Sequence, residues 1–257
     1  MTRSMWLALI ATAAALASAG EADALKERAA RLLQTAKDKD TFVVVQELNE
    51  SKNVGESIAL YSLLADGAYQ GEKDVALMNQ FGRCAIDYLL SKAAALEGKE
   101  AATKLRIQAR AMSYNLAANN WPGWGEPGLI HDPSALSAGQ DFARLNLRLV
   151  LELKEDDERQ GNSHWIVGAM LLAQGRYERA TDAFKAAAER YKLIKKDDLY
   201  WMAVGYEGLT AKLAGLAGAG KLDEALKKLE SLATDDAKFY RGQLKKALQI
   251  FTTRFVR

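Results

Sequence analysis

The chain has 257 residues, 49% of them hydrophobic and 26% charged, with 35 basic and 33 acidic side chains for a formal charge of +2. That balance excludes wholesale disorder and suits one domain or two small ones. One cysteine excludes a disulfide framework, two histidines leave little for metal or acid–base chemistry, and the interspersed charges form no basic stripe for nucleic acid. No cofactor and no nucleic-acid partner is therefore expected. All three prolines, Pro122, Pro127 and Pro133, fall in one short stretch. Proline breaks helix interiors, so the distribution points to helices everywhere else.

The N-terminus reads as a secretory leader. Arg3 supplies a positive start, residues 5–16 are uncharged and apolar, and Ala17-Ser18-Ala19 fits the small-x-small cleavage rule. The apolar run falls short of the roughly 20 residues that span a bilayer, and no cysteine follows it to take a lipid. Cleavage after Ala19 leaves an exported chain without an integral membrane segment, periplasmic if the source is Gram-negative and otherwise secreted.

Beyond the leader, residues 21–38 place Leu25, Ala29, Leu32 and Leu33 at helical spacing. The run Phe42-Val43-Val44-Val45 is β-prone but has no partner strand, so residues 41–48 are expected as a short buried helix capped by Asp40. Residues 54–69, 74–96 and 101–118 each carry a broad apolar face, with breaks at Gly71 and Gly98. These form an N-terminal helical region, 20–118.

Residues 119–132 are a loop dominated by turn formers, including Trp121-Pro122-Gly123-Trp124-Gly125 and Glu126-Pro127-Gly128. Asp132 reads as an N-cap with Pro133 at the first helical position. The helix it opens runs to about Leu153, and residues 154–159 form a charged connector. Four more helices are expected at 163–174, 177–191, 199–216 and 222–233. A last one, capped by Asp235, carries Tyr240, Leu244, Leu248 and Phe251 on one face. The C-terminal region 133–257 and the N-terminal one read as a continuous domain, all-α and built of antiparallel pairs.

Two hairpins in the C-terminal region share a pattern. One reads Gly175, Tyr177, Ala180, Phe184, Ala187; the other reads Gly220, Leu222, Ala225, Leu229, Leu232. Glycine ends one helix in a left-handed conformation, alanine lets the returning helix approach, and the bulky residue one turn later fills the groove. Gly168 and Gly205 stand upstream in corresponding places, with about eight extra residues, roughly two helical turns, before the second turn. Gly168, Gly175, Tyr177, Ala180, Phe184 and Ala187 resemble the tetratricopeptide repeat, a helix–turn–helix unit of about 34 residues. The likeness covers residues 161–194 well and 199–233 loosely. It departs at Trp165, one place late for the usual tryptophan, at Leu171 in place of tyrosine, and at Lys192 in place of the closing proline. The resemblance implies a right-handed α-solenoid whose concave face takes a protein or peptide, with Trp165 pointing inward.

The candidate binding residues are Trp121, Trp124, Trp165 and Trp201. Trp121 and Trp124 form either a rigid aromatic platform for a sugar, peptide or protein, or a plug folded over the edge of the helical array; loop aromatics without other site chemistry favour the plug. Trp165, Tyr200, Trp201 and Tyr206 lie on the first helices of the two hairpins, either lining a groove or packed between repeats. His131 beside Asp132 has the composition of a general base and its orienting carboxylate, yet Asp132 has a sufficient task as a cap and no activated nucleophile accompanies it. His164 is expected at the surface or as a cap. Cys84 is expected to be buried and inert, and residues 155–158 a solvated connector rather than a Ca²⁺ loop. The function these readings imply is that of an exported, non-enzymatic protein–protein or peptide interaction module. The alternative is a cell-envelope glycan or small-ligand binder working through Trp121 and Trp124, and the weakest is a hydrolase based on His131.

Overall fold

Short polar residues set the helix starts. Asp40 accepts a hydrogen bond from the Phe42 amide at 2.7 Å, Asn53 from Glu56 at 3.1 Å, Asp74 from Leu77 at 2.8 Å, Asp132 from Ala135 at 2.7 Å and Asp156 from Arg159 at 2.9 Å. Each such cap satisfies an amide that the helix itself cannot, and is worth about 1 kcal/mol. The computed structural model describes residues 19–254, in which eleven α-helices and no strand are present. The expected leader lies, but for Ala19, outside the described residues. No described helix is long and apolar enough to cross a membrane. The chain divides into two compact units, residues 19–119 with 128–130, and residues 120–127 with 131–254.

The first unit holds α1 (Ala19–Asp38), α2 (Thr41–Glu50), α3 (Val54–Asp66), α4 (Val75–Ala94) and α5 (Glu100–Asn119). Ala29, Leu32 and Ala36 of α1 are buried, and α1 packs on α2 and α3. Arg28 ties all three together, reaching Glu47 at 2.8 Å and Glu56 at 2.5 Å. The expected helix at 54–69 stops at Asp66 and passes into a wide π-helical turn, Gly67–Gly71. The expected burial of α2 holds for one side only. Val44 and Leu48 are enclosed, while Phe42 and Val43 face solvent at 67% and 43% exposure. Helix α4 meets α5 through Gly82, where a Cβ would fall 2.4 Å from a Leu116 methyl. Gly98, at φ +79°, makes the left-handed turn between these two helices.

The second unit holds a single 3₁₀ turn, Pro122–Trp124, then α6 (Pro133–Glu152), α7 (Asp157–Ala173), α8 (Tyr177–Leu193), α9 (Asp197–Ala214), α10 (Gly220–Leu232) and α11 (Asp235–Arg254). Each helix packs on the next, as consecutive hairpins require. Their seams are made by small residues. The Phe184 ring of α8 lies over Gly168 of α7, and Tyr191 over Gly161, each too close for a side chain at the glycine. Gly205 of α9 sits under Leu244 of α11, and Gly208 of α9 lies against the backbone of α10.

Two expectations here need correction. Asp156 caps α7, so that helix starts at Asp157 and absorbs half of the connector placed at 154–159. The turn of the second hairpin is made by Gly215, at φ +66°, and Gly220 is instead the first residue of α10. Gly175 makes the first turn as expected, at φ +72°. The extra length of the second hairpin is spread over a longer α9, a longer connection and an earlier start of α10, rather than two full helical turns.

Candidate functional site

The loop of the second unit owes its path to its turn formers. Trp121 is extended, Pro122 starts the 3₁₀ turn, and Gly125 closes it in the left-handed region at φ +60°. Two glycines let the loop close in. A Cβ at Gly123 would strike the Trp121 indole at 2.2 Å, so the ring folds back beneath its own turn. A Cβ at Gly125 would fall 2.6 Å from Lys246 and 2.7 Å from Ile250 on α11. The loop thus lies directly on that helix.

Trp121 is wholly buried and is the hub of an aromatic cluster. Its ring centroid lies 4.9 Å from Trp124, 5.6 Å from Trp165, 5.7 Å from Tyr206 and 6.3 Å from Phe251. The first three contacts are edge-on, the arrangement that the aromatic quadrupoles favour. Tyr206 in turn stacks on Phe184 at 5.3 Å and meets Trp165 at 5.6 Å. Three alternate helices, α7 through Trp165, α9 through Tyr206 and α11 through Phe251, therefore present rings to one loop.

Polar atoms are enclosed in this cluster. The Trp121 and Trp165 Nε1–H groups and the Tyr206 hydroxyl are buried and hydrogen-bonded to nothing among the described residues. Such groups are ordinarily paired, since an unmade buried hydrogen bond costs about 1–3 kcal/mol. Burial pushes the Tyr206 phenol far up, so it remains a neutral O–H donor.

Trp165 is 4% exposed, so of the two places open to it, lining a groove or packing between helices, it takes the packed one. Trp121 covers it. A sugar platform of two open indole faces is likewise not formed, because Trp121 is enclosed and only Trp124, half-buried, meets solvent. Trp201 lies apart from the cluster. It is half-exposed, edge-on to Tyr200 at 5.0 Å, with the Lys228 ammonium of α10 over its ring at 5.7 Å. Sequence reasoning missed Lys246, Ile250 and Phe251 as the floor under the loop. The helical spacing of Lys246 and Ile250 puts both on one face, but nothing local ties that face to a segment so far upstream.

The remaining candidates have structural tasks. The Asp132 carboxylate caps α6, with His131 half-buried just before it. Arginines take up most of the acidic run: Arg159 pairs with Glu155 at 3.1 Å and with Asp156, and Arg190 with Asp157 at 2.9 Å. Asp157 and Glu158 also stand in the first turn of α7, where negative charge complements the helix dipole. Cys84 is only part-buried, where full burial was expected, and that burial together with the charge of Asp87 raises its thiol pKa. Among the described residues, no group of three or more His, Cys, Asp or Glu side chains is placed to hold a metal ion. A separate apolar cleft of about 470 Å³ lies in the first unit, lined by Val54, Leu96, Ala101 and Leu105 with Lys92 and Lys104 beside them.

His164 on α7 is more enclosed than a surface or capping role requires, and burial together with the charge of Arg190 lowers its pKa. The unfolded chain therefore binds a proton at His164 before the folded one does. The stability tied to its neutral form is present above about pH 6.5, the ordinary histidine value, and is lost as pH falls below it. His164→Gln is expected to flatten the fall in denaturant midpoint between about pH 7 and pH 5. An equally steep fall in the variant would assign that pH dependence to other groups.

No protein-family model and no curated protein matches this chain.

Proposed function

We propose that this is an exported, non-enzymatic interaction module, a right-handed α-solenoid of tetratricopeptide character that holds a protein or peptide partner on the face made by α7, α9 and α11. The leader at residues 1–19 delivers it, to the periplasm in a Gram-negative bacterium. One observation carries the reading: rings from three alternate helices converge on an extended, turn-rich segment, residues 120–127, in the manner of a groove that takes a peptide. Consecutive hairpins joined through glycine seams supply the rigid frame such a face needs.

Trp165 on this face and Trp201 away from it separate the reading from binding elsewhere. Truncating an aromatic anchor typically costs an interface about 2 kcal/mol or more. Captured from envelope extract with the chain lacking residues 1–19, a partner is expected to bind the Trp165→Ala variant more than about tenfold less tightly. The Trp201→Ala variant should retain it. A partner lost through Trp201 and indifferent to Trp165 would move the binding surface to the α9–α10 side. A partner indifferent to both would take it off these aromatics altogether.

A further inference from the structure

Resting on that reading, we infer that residues 120–127 are a tethered competitor for the face of α7, α9 and α11, and that the partner displacing them presents a similar segment: an extended stretch with one bulky aromatic anchor followed by a proline–glycine turn. The loop itself shows the chemistry the face accepts. Its anchor, Trp121, is fully enclosed, its backbone is extended there, and the chain then turns at once through Pro122 and Gly123. Gly125 sets the turn down on Lys246 and Ile250 in the left-handed conformation that glycine favours. A partner with a turn of this kind keeps its chain clear of α11.

The cis segment meets the apolar demand of the face and leaves the polar demand unmet. The Nε1–H of Trp165 and the hydroxyl of Tyr206, on the two rings that Trp121 meets edge-on, are buried without acceptors among the described residues. A partner segment that lays main-chain carbonyls over these two donors gains hydrogen bonds that the loop does not make. The loop can leave without unwinding an α-helix, its own 3₁₀ turn, Pro122–Trp124, moving with it. It lies between the last residue of α5, Asn119, and the Asp132 cap of α6, and it exits through Gly125 and Gly128, both in left-handed conformations. Held by so short a tether, it competes at an effective concentration in the millimolar range, which weakens any trans ligand in proportion.

The probe is a synthetic peptide copying residues 119–128, titrated into the full chain and into its Trp121→Ala variant. Removing the cis anchor is expected to tighten peptide binding by more than about tenfold. A peptide with its first tryptophan replaced by alanine should bind neither protein. If the variant keeps its helical circular dichroism and does not bind the copy peptide, the inference is overturned. Equal binding of both peptides overturns it as well, and so does a concentration-dependent dimer formed by exchange of the loop, which would make a second copy of the chain the source of the segment.

Should Trp121→Ala fail to fold, hydrogen exchange on the unmodified chain decides the matter. Saturating peptide is expected to raise exchange at residues 120–127, and unchanged protection there overturns displacement. A natural partner that binds while residues 120–127 stay protected would leave the interaction reading standing and sink only the competition. Peptide binding that no envelope protein competes for would do the reverse.

Discussion

Trp121→Ala is expected to destabilise the second unit by about 4 kcal/mol, the upper range for emptying a large buried aromatic site. The ring is wholly enclosed, and four aromatic neighbours lie within 6.3 Å of it. Edge-on pairs of this kind each add about 0.5–1.5 kcal/mol beyond the apolar area they bury. The cavity has little prospect of collapsing, because the neighbouring rings are carried by α7, α9 and α11, which other seams hold in place. Trp124→Ala removes a half-buried ring from the same cluster and should cost about 1–2 kcal/mol. Denaturant unfolding followed by circular dichroism measures both. A loss below about 1 kcal/mol for Trp121→Ala would mean the loop does not close over the array in solution.

Gly208→Ala should reverse the usual sign of a helical glycine-to-alanine exchange. Alanine is ordinarily favoured over glycine in a helix interior by about 1 kcal/mol. At Gly208 the new Cβ would stand 2.2 Å from the backbone nitrogen of Leu222 and 2.8 Å from the carbonyl carbon of Lys221. A backbone cannot rotate aside as a side chain does, so α9 and α10 must part, and Leu222, Ala225 and Leu229 lose their seat. The expected loss is about 3 kcal/mol, at the upper end for overpacking. Gly242→Ala is the matched control. It lies in α11 with nothing within 4 Å of its Cβ position and should gain about 0.5–1 kcal/mol. If both exchanges stabilise, the close approach of α9 and α10 is not there.

What could be read from the residues beforehand was whatever is governed locally. Asp40, Asp132, Gly98 and Gly175 fell where cap and turn chemistry put them, since a cap depends on amides two or three residues away. Asp156 escaped notice because it stands in a charged run that reads as solvent-facing until Arg159 and Arg190 are seen to neutralise it. Gly220 fits the pattern shared by the two hairpins, and only the packing of α9 on α10 shows that Gly215 makes the turn instead. Trp165 was harder still. Its burial depends on Trp121, a residue distant in the chain, and no periodicity within α7 reports a cover supplied by a loop. The same holds for the apolar side of α2, where the four-residue run concealed that Phe42 and Val43 face outward.

The distribution of indoles has an optical consequence. Among the described residues every tryptophan lies in the second unit, while the first absorbs through tyrosines such as Tyr61, Tyr69, Tyr88 and Tyr114. In the chain lacking residues 1–19, and with them Trp6, emission excited at the red edge of the spectrum therefore follows the second unit alone, and helical ellipticity follows both. Trp121, Trp124 and Trp165, within 6.2 Å of one another, should act as one coupled chromophore and give a near-ultraviolet dichroic band that vanishes when the loop lifts. The chain carries its own spectroscopic label for the very segment whose movement is in question, and no dye need be attached to watch it.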